Sequence, residues 1–436
     1  MSDFVISPSA IAGAAIAVPG DKSISHRALM FGAIAEGTTR IDGMLTGEDC
    51  LATLAALQAM GVDIERPSDT SAVVHGVGMH GLSTPAGDLD LGNSGTAMRL
   101  FSGLLAAQSF PSVLTGDASL TGRPMGRVIT PLTMMGAEIE SDEGKPPLRI
   151  AGGRKLTGIS YAQPMASAQV KSAILLAGLY ARGETYVSEP AISRDHTERM
   201  LRAMGVQLSA EDQHVRMPGE QSLKAIDVQV PGDLSSAAFF IVATLIARDC
   251  ELLIKGVGLN PSRVGVIEIL RDMGADIQIE NPALYGEEPV ADLRVSSSQL
   301  KGIDVAPDRV SLAIDEFPIL FIAAAAARGI SRFGGLEELR VKESDRIASM
   351  VAGLRALGIT ANETPAGAEI LGGEIGGGTV SSHGDHRIAM ALAVAGTRAT
   401  APVRIRDVAP VATSFPGFAE LMAGIGGDIS LEDIDS

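Results

Sequence analysis

"ALQAMGVDIE", Ala56–Glu65, decides the fold, because it recurs. The same phrase is an apolar helix end, a glycine and then an alternating stretch. It returns as "PLTMMGAEIE" (Pro131–Glu140), "LRAMGVQLS" (Leu201–Ser209), "LRDMGADIQI" (Leu270–Ile279), "LRALGITA" (Leu354–Ala361) and "LMAGIGGDISL" (Leu421–Leu431). The shared glycines are Gly61, Gly136, Gly205, Gly274, Gly358 and Gly426, spaced 68 to 84 residues apart. Each suits the position just after a helix, where a positive φ is cheap for glycine. Internal repetition on this scale governs everything else in the sequence.

Each repeat carries a second helix. The runs Ala28–Ala35, Leu100–Phe110, Ser172–Ala181, Leu234–Ala247, Phe317–Ala327 and Ile388–Thr397 contain no charged residue, and a helix apolar on all sides is buried on all sides. Alternating stretches such as "TTRIDGM", "ETYVSEP", "CELLIKGV" and "PVRIRDV" follow them and predict strands. The unit is therefore buried helix, strand, outer helix, strand, strand, and the class is α/β. "VPGD" occurs at Val18–Asp21 and again three units on, at Val230–Asp233. That duplication divides the chain into a domain over 21–231 and another over 232–436 completed by residues 1–20, with a hinge at 18–21 and 230–233.

A chain of 436 residues is too long for one core. Its 50 glycines and absence of tryptophan fit a globular protein rich in tight turns. The net charge of -17 argues against nucleic acid and anionic membranes as partners, since both need a broad basic field, but it permits a local basic pocket. Cys50 and Cys250 lie in apolar surroundings and read as buried, inert thiols in a reducing compartment. The 17 methionines read as core filling. No signal peptide, transit peptide or membrane span is expected, so the predicted location is cytoplasmic.

The polar groups concentrate just ahead of the apolar runs, in "GDKSISHR", "LGNSGTAMR", "PMASAQVK", "PGDLSS", "AIDEF" and "HGDHR". Four of the six carry a cation: Lys22 with Arg27, Arg99, Lys171 and Arg387. The other two have Asp233 and the pair Asp315 and Glu316. Outer-helix starts add Arg123 and Arg127, Arg194, and Lys342, Glu343 and Arg346. Taken alone, "KESDR" reads as an exposed first turn with Glu343 paired to Arg346. Repetition changes that reading. Cations gathered at the positive ends of helix dipoles repel unless an anion compensates them, which predicts a ligand bearing several negative charges. "GNSGT", Gly92–Thr96, can form a nest of backbone N–H groups for a phosphate or carboxylate.

Other motifs fail on context. "GVGMHG", Gly76–Gly81, opens no predicted helix, so its match to a dinucleotide fingerprint is chance. His383, Asp385 and His386 have no matching carboxylate cluster and read as capping or orienting groups; no metal is expected.

"LGNSGTAMRL" and "LRVKESDRI", with "PGDKSISHR", "GDASLTGRPM", "MASAQVKSA" and "GDHRIAM", resemble in order the motifs of the 5-enolpyruvylshikimate-3-phosphate (EPSP) synthases. The likeness runs over essentially the whole chain. It implies a two-domain inside-out α/β barrel fold, each domain being three repeated units with pseudo-threefold symmetry and buried helices wrapped by sheets. It also implies that the domains close over two small-molecule substrates. The implied reaction transfers the enolpyruvyl (carboxyvinyl) group of phosphoenolpyruvate to the 5-hydroxyl of shikimate 3-phosphate and releases phosphate, a step of aromatic amino-acid biosynthesis. No cofactor and no metal are implied, and a monomer is expected. Both substrates carry a phosphate and a carboxylate, which would supply the missing anions.

By the same resemblance the catalytic groups are Asp315 as base on the 5-hydroxyl, with Glu343 and Lys22 as proton donors to the methylene carbon. Lys22, Ser23, Arg27, Ser167, Ala168, Gln169, Arg194, Asp315 and Lys342 match contacts to shikimate 3-phosphate. Lys22, Asn93, Gly95, Thr96, Arg123, Gln169, Arg346 and Arg387 match contacts to phosphoenolpyruvate. Thr413 stands where many members have lysine, and Arg194 where they have a small polar residue. These departures, with "MASAQVKSA" and "IDEFPIL", resemble a divergent bacterial branch known for tolerance to the inhibitor glyphosate. Tolerant members have alanine where this chain has Gly95, so glyphosate is expected to compete effectively here. Two rivals are a UDP-N-acetylglucosamine enolpyruvyltransferase and a non-catalytic anion-binding protein on the same repeats. The first normally has an asparagine after its N-terminal lysine, where this chain has Ser23, and a cysteine in a mobile glycine-rich loop. The second gives no reason for Asp315 and Glu343 among the cations.

Overall fold

The computed structural model describes residues 2–433. The chain forms two compact units, each with its own hydrophobic core. One holds residues 20–230 together with Leu284–Glu288, and is called the first unit below. The second holds the segment up to Pro19, Pro231–Ala283 and the chain from Pro289 on. No sequence signal marks the short piece Leu284–Glu288 that groups apart from its neighbours. Among the described residues no helix is long and apolar enough to cross a membrane.

The six uncharged runs are helices: Lys22–Ile34, Gly95–Leu105 and Ala168–Gly178 in the first unit, Leu234–Ile246, Phe317–Ala326 and His386–Thr397 in the second. Every residue of Leu234–Ile246 is buried, as an all-apolar surface requires, and so is every residue of His386–Thr397, including the polar first turn that carries Arg387. Four of the six begin up to six residues before the uncharged run does, because the run omits the polar first turn. Five of the six helix starts are closed by side-chain caps. Asp21 accepts from the Ile24 N–H, Ser94 from Ala97, Ser167 from Val170, Asp233 from Ser235 and Asp385 from Arg387. The two aspartates of the duplicated "VPGD" thus do the same work in the two units.

The six repeat glycines all have φ between +84° and +103°, which ends each outer helix and turns the chain into a strand. A different glycine sets the packing inside the first unit. A Cβ on Gly103 would lie 2.1 Å from the Ala173 carbonyl oxygen, so only glycine lets the second and third buried helices approach this closely.

Among the described residues the strands form six sheets. In the first unit each is centred on an antiparallel pair, for example Ala35–Asp42 with Ser71–Val77, flanked by the third strand of the same repeat. Its other edge is a short parallel strand from the preceding repeat. Leu89–Asp90 joins Ser112–Thr115, Ser160–Ala162 joins Glu184–Ser188, and Leu223–Lys224 with Val228–Gln229 returns to Ala35–Asp42. Two sheets of the second unit follow the same order, with Ala14–Ala17 beside Glu251–Gly258 and Gly378–Ser381 beside Val403–Arg406, while at that edge of the third, Ile330–Phe333 with Gly367–Leu371 and Thr360–Thr364, there are only isolated parallel bridges. The N-terminal strand Ser2–Ser7 sits between Val403–Arg406 and Asp428–Asp433. The sequence pattern misses these edge strands because two to four residues are too few to show alternation.

Cys50 and Cys250 are both buried. Most methionines lie in the cores, as expected; Met134 and Met165 are about half exposed.

Candidate functional site

In the first unit the candidate residues sit at the starts of the three buried helices. Lys22, in the first turn of Lys22–Ile34, donates to Asp49 Oδ2 at 2.9 Å. Asp49 opens the outer helix Glu48–Ala59, where its charge faces a positive dipole end. Arg27 is buried one turn further in. Its Nη1 donates to the Ser23 carbonyl oxygen at 2.9 Å, its Nε to Thr197 Oγ1 at 2.7 Å and its Nη2 to Ser172 Oγ at 2.6 Å. Ser172 in turn donates to the Ala168 carbonyl at 2.6 Å. Burial pulls the Arg27 guanidinium down to about 10, against the charges of Glu198 and Asp21 and with help from half-buried Arg194. A guanidinium whose charge is under-compensated in this way gains most from an incoming anion.

The second and third helix starts are joined through Gln169. Arg99 Nη1 donates to Gln169 Oε1 at 2.6 Å and to the Gly95 carbonyl at 3.2 Å, while Gln169 Nε2 donates to Thr96 Oγ1 at 2.9 Å. Arg123 Nη2 reaches Asn93 Oδ1 at 2.5 Å and Ser119 Oγ at 3.1 Å, and Asn93 Nδ2 donates to Asp117 Oδ2. Gly95 lies between the two arginines, since a Cβ there would be 3.0 Å from Arg99 Nη1 and 3.1 Å from Arg123 Nη1. Ser167 caps its helix.

Lys171 departs from the sequence reading. It is buried against Glu189 at 2.7 Å and Glu198 at 2.8 Å. Burial disfavours its charge, but the two carboxylates outweigh that and raise its pKa. Its cation is therefore already spent inside the protein.

His26 is also fully buried, with Nδ1 2.8 Å from Thr53 Oγ1. Burial first, then Lys22 and Arg27, push its pKa well below 6.5, so the ring is neutral. On acidification the unfolded chain takes up a proton at this residue before the folded one does. Stability should therefore fall as pH drops below 6.5, with a contribution of at most about 1.4 kcal/mol per pH unit. The His26→Asn variant should show a flatter fall between pH 7 and pH 5 in thermal unfolding; identical slopes would exclude His26 as the source.

In the second unit the candidates gather at the starts of Arg346–Ala356 and His386–Thr397. Arg346 is fully buried. Its Nε donates to Asp385 Oδ2 at 2.8 Å and its Nη2 to Glu343 Oε2 at 2.5 Å, and its Nη1 is 3.4 Å from Asp315 Oδ1. Burial opposes its charge, but Asp385, Glu343 and Asp315 raise its pKa beyond the usual guanidinium range. The predicted pairing of Glu343 with Arg346 is present, but the exposed turn is not: Arg346 is 2% exposed. Lys342 Nζ stands 3.8 Å from Asp315 Oδ1. Arg387 Nη1 donates to the Asp315 carbonyl oxygen at 2.8 Å. All of the predicted residues of this unit thus belong to one connected group.

Sequence reasoning missed Asp49, Thr197 and Ser172, gave Arg99 no role, and read Asp385 as a capping or orienting group without its pairing to Arg346. Asp49 had a signal, an acid in a helix first turn; the others are linked to their arginines only by tertiary contact. Among the described residues one group has three converging metal-ligand atoms, Asp63, Glu65 and His75. It lies on an outer strand pair, with His75 Nε2 3.2 Å from Glu65 Oε1, and shares no residue with the helix ends.

The fold is α/β, and its helix starts set cations beside carboxylates, an arrangement suited to an enzyme acting on anionic substrates. Residues 6–422 match the family model of EPSP synthase (3-phosphoshikimate 1-carboxyvinyltransferase). A 3-phosphoshikimate 1-carboxyvinyltransferase of Alkalilimnicola ehrlichii is 56% identical over 99% of this chain and 98% of its own length. One from Legionella pneumophila is 55% identical over 96% of each. The solved structure of EPSP synthase from Acinetobacter baumannii superposes with a TM-score of 0.90 at 52% identity, covering 99% of this chain and 100% of that one. The chain belongs to the EPSP synthase family.

Proposed function

We propose that the chain transfers the enolpyruvyl group of phosphoenolpyruvate to the 5-hydroxyl of shikimate 3-phosphate by addition and elimination, releasing phosphate. The observation that carries this is the group around Arg346, where one buried guanidinium holds Asp315 and Glu343 with Lys342 beside them. A pure anion binder would be weakened by two carboxylates at that point. A reaction that removes one proton and adds another needs them.

Asp315 accepts the proton of the 5-hydroxyl as it attacks, and Glu343 with Lys22 protonates the methylene carbon. The tetrahedral ketal then loses phosphate as those roles reverse. Lys22, Ser23, Arg27, Ser167, Ala168, Gln169, Arg194, Asp315 and Lys342 bind shikimate 3-phosphate. Lys22, Asn93, Gly95, Thr96, Arg123, Gln169, Arg346 and Arg387 bind phosphoenolpyruvate.

The same reading takes the chain as a cytoplasmic monomer with no cofactor. It takes each unit as three repeats about a pseudo-threefold axis, helices inside and sheets outside, and the cyclic handing-on of edge strands supports this. Phosphate release from phosphoenolpyruvate tests the function: it should require shikimate 3-phosphate. Release that instead requires UDP-N-acetylglucosamine, or no release with either, would overturn it.

Gly95 tests the phosphoenolpyruvate assignment. The atoms that an added methyl meets are guanidinium ends, which can shift by a few tenths of an ångström at little cost. Gly95→Ala should therefore fold normally but raise KM for phosphoenolpyruvate by roughly three- to tenfold by displacing Arg123. Glyphosate should inhibit the wild-type protein in competition with phosphoenolpyruvate and the variant much less. Equal inhibition of both would refute the assignment.

A further inference from the structure

Glu316 follows the proposed base directly, yet the mechanism leaves it without a part. It is 2% exposed, in the short turn Ile314–Glu316 that leads into the buried helix Phe317–Ala326. Burying a carboxylate is costly unless partners compensate it, and its partners are specific. Ser235 Oγ, in the first turn of Leu234–Ile246, donates to Glu316 Oε1. Arg263 Nη2 is 3.9 Å from the same oxygen and donates to Ser235 Oγ at 2.5 Å and to Asp233 Oδ1 at 2.9 Å. From the other side, Arg387 Nη1 lies 3.7 Å from Glu316 Oε1 while donating to the Asp315 carbonyl at 2.8 Å.

The turn that carries Asp315 is therefore held at two points. Arg387 grips its backbone, and the Glu316 carboxylate ties it to the capped start of Leu234–Ile246. Arg263 has its own acid in Asp233, so the charge of Glu316 remains available to Arg387. At 3.7 Å that attraction orients Arg387 through Nη1 without the short contact that would neutralise it fully.

We infer that Glu316 is a positioning residue for phosphoenolpyruvate binding: it anchors the Asp315 turn and holds Arg387 in place through Nη1. This rests on the reading of Arg387 as a phosphoenolpyruvate contact. Glu316→Gln keeps the size and the Ser235 hydrogen bond but removes the charge, and Arg263 stays paired with Asp233. KM for phosphoenolpyruvate should rise about tenfold, the loss of one charge-assisted contact. KM for shikimate 3-phosphate should change much less, and the thermal midpoint should stay close to wild type. Glu316→Asp, which restores the charge, should recover part of the loss. Ser235→Ala leaves every charge in place and only loosens Glu316, so it should shift KM for phosphoenolpyruvate in the same direction but less. It decides the matter if Glu316→Gln does not fold.

Arg387→Gln separates the two layers of the argument. If Arg387→Gln leaves KM for phosphoenolpyruvate unchanged, the site assignment is wrong. If Arg387→Gln raises it and neither Glu316→Gln nor Ser235→Ala does, the assignment stands and the positioning role is wrong. Equal rises in both KM values with a lowered midpoint would reduce Glu316 to a purely structural group. A double variant, Glu316→Gln with Arg387→Gln, should be no worse than Arg387→Gln alone, because the two act on one contact.

Discussion

Asp315→Asn should lower kcat by about 10²–10⁴-fold, the usual loss on removing a general base, and Glu343→Gln should do the same. Both substitutions keep the shape of the side chain. Arg346 retains Asp385 as a fully buried partner in either variant, so the group around it should hold together. Binding of shikimate 3-phosphate, measured by calorimetry, should survive in both, weakened in Asp315→Asn by the loss of one contact's charge, because Arg27 and its partners Ser172 and Thr197 are untouched. Loss of turnover with binding retained assigns the two carboxylates to the chemistry. A kcat within tenfold of wild type for either variant would remove that residue from the mechanism.

Arg346→Met should destabilise the second unit by about 3–5 kcal/mol at pH 8, the cost of leaving a buried charge without its partner. Asp385 is completely buried, and in the variant its other contacts, from Ser344 and from the Arg387 N–H, are to neutral groups. Urea midpoints of variant and wild type measure it. Combining Arg346→Met with Asp385→Asn removes the stranded charge and should restore much of the loss. If the double variant is as unstable as the single one at pH 8, packing rather than charge explains Arg346.

The repeats were legible because burial writes itself into composition. A helix enclosed on all sides carries charge only where partners compensate it, at its first turns here, so the uncharged bodies of Leu234–Ile246 and its five counterparts stand out in the sequence. The glycines at Gly61 and its equivalents were legible for a local reason, since a left-handed residue after a helix is a property of one position. Edge strands such as Leu89–Asp90 were not. Their partner lies in the next repeat and their own two residues have no period.

The site divides along the same line. That cations collect at helix starts could be read from spacing, and the motif resemblance pointed to Asp315, Glu343 and Arg346. Nothing local distinguishes Lys171 from Lys22, yet one is neutralised by Glu189 and Glu198 in the interior and the other pairs with Asp49 at 2.9 Å while 20% of its side chain stays exposed. The sequence by itself determined the repeating α/β units, the buried helices and the polarity of their ends, because these follow from periodicity and dipoles within short segments. Only the tertiary structure decided which cations are already neutralised, which carboxylates share Arg346, and that Glu316 backs Arg387. Coulomb attraction acts through space between residues as far apart as Ser235 and Glu316, and the order of the chain does not record it.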